Sequence, residues 1–228
     1  MKTLSEYIMD WMVNCKKNSV KISTYDRLLT TYNAFVAYPI ALIPLSDLTS
    51  RNIQTYVNSL VDDGYSMSTI KKQFLLVHAF LEYAFVQGLI ERPIHKLIKM
   101  PTQSVVKKKR RDVYGYSKME QDLLIGAFKR ENSLPCPAAW LMMETGMRVG
   151  ETLALKWDDI LWSKRAIRIN KTMVRIANKK TMVLQDGAKS KSSNRIIPMS
   201  NAARQILEEI WNKSYEQGAF IFRSKRCV

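Results

Sequence analysis

The period at which apolar residues repeat changes part-way along this chain, and that change limits the fold more than any other feature. Over the first hundred residues apolar side chains return every three to four positions, the spacing of one helix face. Leu4, Ile8, Trp11 and Met12 make one stripe, which predicts a helix from Leu4 to Cys15. Ser23 or Thr24 is positioned to cap a second helix carrying Leu28, Leu29, Tyr32 and Phe35. Thr49 caps a third, with Ile53, Tyr56, Val57 and Leu60 inward and an end near Gly64. Ser68 or Thr69 opens a fourth, carrying Ile70, Phe74, Val77, Phe80, Leu81 and Ala84 and stopping at Gly88. Pro93 and Pro101 then break the pattern. The expectation is a four-helix domain over residues 1–100, with its Met and aromatic stripes as core.

The second half begins with helices and then alternates. Ser117 and Glu120 form a capping box for a helix through Lys129. Pro135 and Pro137 start another through Met143, and Arg148 to Lys156 reads as a third. After that, "RAIRINKTMVRI", "KTMVLQ" and "RIIPM" alternate at period two, as strands do. A helix from about Asn201 to Gln217 closes the pattern, with Ile206, Leu207, Ile210 and Trp211 inward. The fold class expected is therefore mainly α with a small antiparallel β-sheet, in two domains.

Charge narrows the partners. The 36 Lys and Arg against 20 Asp and Glu give a net charge of +16 over 228 residues. Such a field favours a polyanion, nucleic acid first and an anionic membrane surface second; an inert basic surface is the remaining alternative. No stretch approaches the roughly 20 apolar residues of a membrane span. The N-terminus, "MKTLSEYIMDWMVNCKK", has no apolar core of the signal-peptide kind. Cys15, Cys136 and Cys227 are odd in number and far apart, as expected of reduced thiols in the cytoplasm. Between the domains, Lys107, Lys108, Lys109, Arg110 and Arg111 are consecutive. The run suits a basic linker over a phosphate backbone, or a solvated tether.

Several chemistries are set aside. The sequence has no P-loop, no GxGxxG, no zinc-like Cys/His spacing and no carboxylate cluster for two metals. His78 and His95 are the only histidines, so the second half cannot supply a Ser/His/Asp set. What remains is cationic. Arg148 follows Gly146 at the entrance to a helix, where free N–H groups also favour anions. Its planar fork matches two phosphate oxygens. The turn "DGAKSKSSN" carries Lys189 and Lys191, and a lysine at a hairpin tip can deliver a proton as a general acid. Taken singly, Arg148 also reads as a surface or capping residue, and the Lys-Ser turn as only a turn.

Together these stretches resemble the tyrosine recombinase (phage integrase) family. Its box T-G-x-R-x-x-E-x-x-x-L-x-W-x-D is matched by Thr145, Gly146, Arg148, Glu151, Leu155, Trp157 and Asp159. Its hairpin lysine ahead of R-x-I-P is matched by Lys191, Arg195, Ile197 and Pro198. The segments "SVKISTYDRL", "PLSDLTSRNIQTYVNSL" and "SMSTIKKQFLLVHAFLEYAFVQGLI" look like the helical core-binding domain of mobile-element integrases.

The resemblance implies a core DNA-binding (SAM-like) domain at 1–100, a basic linker at 101–113 and a catalytic domain at 114–228. It implies site-specific cutting and rejoining of double-stranded DNA through a 3′-phosphotyrosyl intermediate, with no metal or other cofactor. Arg148 would grip the scissile phosphate, Glu151 would brace it, and Lys191 would be the general acid. Lys21, Ser23, Thr24, Arg27, Thr69, Lys71 and Lys72 are the expected DNA contacts of the first domain, most of them to phosphate. The family's H-x-x-R box and nucleophilic tyrosine have no match after residue 100. Tyr114 and Tyr116 lie too early, and Tyr215 falls within the last expected helix. The expectation is thus a C-terminally truncated integrase, or a non-catalytic DNA-binding fragment that competes with an intact one. Intact members act as tetramers on DNA; this chain is expected to be a monomer in solution.

Overall fold

A computed structural model describes residues 2–106, 114–131, 133, 135–176, 181–186 and 194–222. It divides into two units, Met1–Asp112 and Val113–Val228, each with its own core.

The first unit is built on four helices, α1 (Leu4–Trp11), α2 (Ile22–Phe35), α3 (Ser50–Asp62) and α4 (Met67–Val86). The apolar stripes named above meet in one core, with Leu4, Ile8, Met12, Phe35, Ile53, Leu60, Ile70, Phe80 and Leu81 almost fully buried. Thr3 caps α1, and the chain then makes a π-helical turn over Met12–Lys16. Thr49 caps α3 as expected, its hydroxyl accepting from Asn52 N. Two expected caps lie elsewhere. The backbone carbonyl of Lys21 takes the first bonds of α2, from Thr24 N (2.8 Å) and Tyr25 N (3.0 Å), so Ser23 and Thr24 sit inside its first turn. Likewise Ser66, three residues ahead of Thr69, caps α4, and Ser68 and Thr69 fall in its first turn. The helix ends at Val86, and Gly88 turns the chain in the left-handed region at φ +69°. Val106 packs into this core as well.

In the second unit, α5 (Lys118–Arg130) carries the Ser117/Glu120 capping box, followed by α6 (Pro135–Thr145) and α7 (Val149–Leu153). Strands β1 (Ile160–Leu161), β2 (Ala166–Ile169) and β5 (Arg195–Pro198) form one antiparallel sheet in the order β1-β2-β5. Ile167 pairs with Ile160 on one side and Ile197 on the other, and Ile169 pairs with Arg195. A second sheet is the hairpin of β3 (Lys171–Ile176) and β4 (Thr181–Asp186). The continuous alternation of "RAIRINKTMVRI" is therefore divided at Asn170 between two sheets. Ile167 and Ile169 enter the core, and most of β3 is only half-buried.

Two helices are shorter than their sequence patterns. Beyond α7, Lys156 is extended: its N–H donates to Asp159 Oδ2 (3.0 Å), and the Leu155 carbonyl accepts from Ile221 N (2.9 Å). These bonds to other segments replace the next helical turn. The last helix, α8 (Asn201–Ser214), stops before Tyr215, whose backbone is extended. Tyr215 stacks on Trp211 with ring centroids 3.6 Å apart, so it lies just past the helix rather than within it.

Candidate functional site: an arginine pair on one buried carboxylate

The site begins where α6 ends. Gly146, at φ +65°, reverses the chain while its N–H still bonds the Met142 carbonyl (2.9 Å). That turn buries Met147 in the core and leaves Arg148 as the N-cap of α7. Glu151 stands three residues on, the spacing at which a carboxylate reaches back to the cap N–H. It does so: Arg148 N donates to Glu151 Oε2 and Arg148 Nη1 to Oε1, both at 2.9 Å.

The carboxylate is held from a second side. Arg195, at the start of β5, donates Nη1 to Oε1 (3.0 Å) and Nη2 to Oε2 (2.9 Å) of Glu151. This two-bond fork is the strongest geometry an arginine and a carboxylate can share. The Glu151 side chain is 7% exposed, yet its carboxyl is held down to about 2 from 4.5. The bonds from Arg195 contribute most, burial opposes them, and the bonds from Arg148 add to the lowering. Glu151 is thus an anion at every physiological pH.

The consequence is at Arg148. Its side chain is 76% exposed while one nitrogen is fixed to a buried anion. The remaining donors of the fork face solvent. The sequence pattern suggests a helix from Arg148 to Lys156; in the structure Arg148 is instead the exposed N-cap of a five-residue helix. The buried residues of α7 are Glu151 and Thr152, and the apolar Leu155 and Trp157 lie beyond it. One carboxylate against two guanidiniums leaves the cluster cationic, suited to an oxyanion that takes two bonds from one fork.

A second ion pair steadies the floor below. Asp159, 3% exposed, accepts from Lys171 Nζ at 2.6 Å, and Arg168 Nε stands 3.6 Å from it. These bonds tie the start of β3 to the turn that follows α7.

Of the residues expected at the site, Arg148 and Glu151 are brought together. Lys191 and Lys107–Arg111 lie outside the described residues. Lys21, Ser23, Thr24 and Arg27 occupy the N-terminal end of α2, with Lys21 and Arg27 exposed and Ser23 and Thr24 half-buried. Thr69, Lys71 and Lys72 occupy the first turns of α4, both lysines exposed. Arg195 is the contributor that sequence reasoning named in a motif without giving it work. Its partner is 44 residues away, and no local signal in the sequence points to the bond. Among the described residues no group of three or more His, Cys, Asp or Glu side chains could hold a metal, and no helix is long and apolar enough to cross a membrane.

Fold and site together define a mainly helical, two-unit protein with an exposed arginine braced by a buried carboxylate. Comparison with known proteins gives that class a family. The profile of the phage integrase N-terminal SAM-like domain matches residues 3–61, and that of the phage integrase family matches residues 124–227. The chain belongs to the phage integrase, or tyrosine recombinase, family. It is 26% identical to the integrase of Staphylococcus phage L54a over 97% of this chain and 70% of that protein. It is also 26% identical to a XerC-like tyrosine recombinase of Caldanaerobacter subterraneus subsp. tengcongensis, over 94% of this chain and 56% of that protein. The chain thus spans between about half and seven tenths of these relatives. Among solved structures, the Tn1549 transposon integrase in complex with circular intermediate DNA superposes with a TM-score of 0.77 at 13% identity, over 99% of this chain and 72% of that one. A lambda integrase tetramer bound to a Holliday junction gives 0.65 at 18% identity, over 99% and 61%. These structures share the fold.

Proposed function

We propose that the protein is a site-specific DNA recombinase that cuts and rejoins duplex DNA through a 3′-phosphotyrosyl intermediate. One observation carries the reading: Arg148, within the family's box, exposes its fork while Glu151 and Arg195 fix its base. A guanidinium held this way is pre-set to neutralise the charge that builds on a scissile phosphate, without reorganising during the reaction. Lys191 is the general acid that protonates the 5′-oxygen leaving group. Glu151 does not exchange protons; its role is to hold Arg148. No tyrosine among residues 1–228 is assigned as the nucleophile, so the roles assigned to these residues are phosphate binding and proton donation to the leaving oxygen.

Duplex DNA is the partner in this reading. The DNA complexes of the Tn1549 and lambda integrases support it, as does the net charge of +16. Residues 1–100 hold one face of the duplex through Lys21, Ser23, Thr24, Arg27, Thr69, Lys71 and Lys72. Residues 101–113, with Lys107 to Arg111, cross the backbone, and residues 114–228 supply the phosphate grip. The working assembly is a tetramer on DNA in the cytoplasm, with this chain a monomer off DNA.

A nicked duplex that traps covalent protein–DNA adducts tests the reading on protein expressed from the full open reading frame. Arg148→Ala and Lys191→Ala each abolish cleavage while leaving most of the binding free energy. Normal cleavage by either variant overturns the assignment.

A further inference from the structure

Gly150 is the second residue of α7, between Arg148 and Glu151. It is not in the left-handed region, so its backbone does not demand glycine. Space does. A Cβ built there would lie 2.5 Å from Thr172 Oγ1 and 2.6 Å from the Met173 carbonyl oxygen, both on β3. Neither distance is tolerable, and the second partner is backbone that cannot swing aside. Gly126, within α5, gives the contrast: its Cβ would meet only Arg130 Nη1, at 3.9 Å. Glycine weakens a helix, so its use in a helix of five residues calls for a packing reason, and β3 is that reason.

We propose that Gly150 is a positioning residue for the phosphate grip: its missing side chain lets α7 rest on β3 at the separation from which Glu151 reaches Arg195. The topology makes the two distances one. Arg195 pairs with Ile169 at the end of β2, and β3 begins two residues later at Lys171. A shift of α7 off β3 carries Arg148 and Glu151 together, so their mutual bonds survive. It leaves Arg195 behind, and the fork opens. Arg148 then rides on a carboxylate anchored from one side only. The inference rests on the recombinase reading only for what Arg148 grips, not for the spacing.

The test reads the spacing without DNA. In side-chain 15N spectra at neutral pH, the two bonds to Glu151 slow rotation of the Arg195 guanidinium and resolve its Nη signals. Gly150→Ala is expected to average those signals, and Gly126→Ala to leave them unchanged. Thr172→Ile presses on the same contact from the strand, and it decides the matter if Gly150→Ala does not fold. Unchanged Arg195 signals in a folded Gly150→Ala or Thr172→Ile protein overturn the proposal. Duplex DNA binding is measured in parallel. Gly150→Ala is expected to weaken it in the same direction as Arg148→Ala, by on the order of two- to tenfold. Affinity indifferent to Arg148→Ala overturns the phosphate reading alone and leaves the spacing intact.

Discussion

Glu151 is where an acidic residue in a basic protein matters most. Its carboxyl is held down to about 2, first by Arg195. A depressed carboxylate stabilises the fold fully above its ordinary value of 4.5, and that contribution is lost as pH falls from there to about 2. Glu151→Gln therefore should flatten the pH dependence of the second unit's melting temperature across that window. At pH 7 it should destabilise the unit by about 1.5–3 kcal/mol, the usual worth of hydrogen bonds to a charged group. An unaltered acid limb in thermal melts would contradict the two-arginine brace. The Arg148–Glu151 half of this arrangement is legible in the sequence because it lies within one helical turn. The Arg195 half is not, because a bond across 44 residues leaves no local pattern. The motif that the sequence resembles names Arg195; only three dimensions give it a partner.

At the scale of elements, periodicity determines type better than it determines neighbours. The helices of the first unit follow directly from their apolar stripes, and two of their caps move only because nearer acceptors, Lys21 O and Ser66 Oγ, take the first bonds. The strands were legible as strands, but alternation does not say which sheet a strand joins. The break at Asn170 sends β2 into the core sheet and β3 into the hairpin under α7. What holds that hairpin is the buried pair of Lys171 and Asp159. Asp159→Ala strands an ammonium that is only 14% exposed. Removing one partner of such a pair costs about 3 kcal/mol or more. Urea unfolding followed by tryptophan fluorescence reads this well, since four of the five tryptophans, Trp140, Trp157, Trp162 and Trp211, lie in the second unit and only Trp11 in the first. The expected result is an earlier fluorescence transition of that unit, while the part of the far-UV circular dichroism transition that belongs to the first unit's helices stays at its original urea concentration.

For the whole molecule, the net charge of +16 and the family's fold converge on one partner class, and electrostatics fixes how that partnership must behave. Each phosphate neutralised by a lysine or arginine releases condensed counterions, so log affinity falls with log salt by about 0.9 per contact. The exposed fork of Arg148 should be one of these contacts, and a special one, because Glu151 and Arg195 anchor it, whereas Lys21 ahead of α2 and Lys71 and Lys72 of α4 are simply exposed. The central claim is that Arg148 is built to hold a DNA phosphate. The direct measurement is the salt dependence of duplex binding by the unaltered chain and by Arg148→Ala. The account predicts steep dependence for both, with the slope of the variant shallower by about one contact. Equal slopes and equal affinities, or no duplex binding by the unaltered chain, would contradict it.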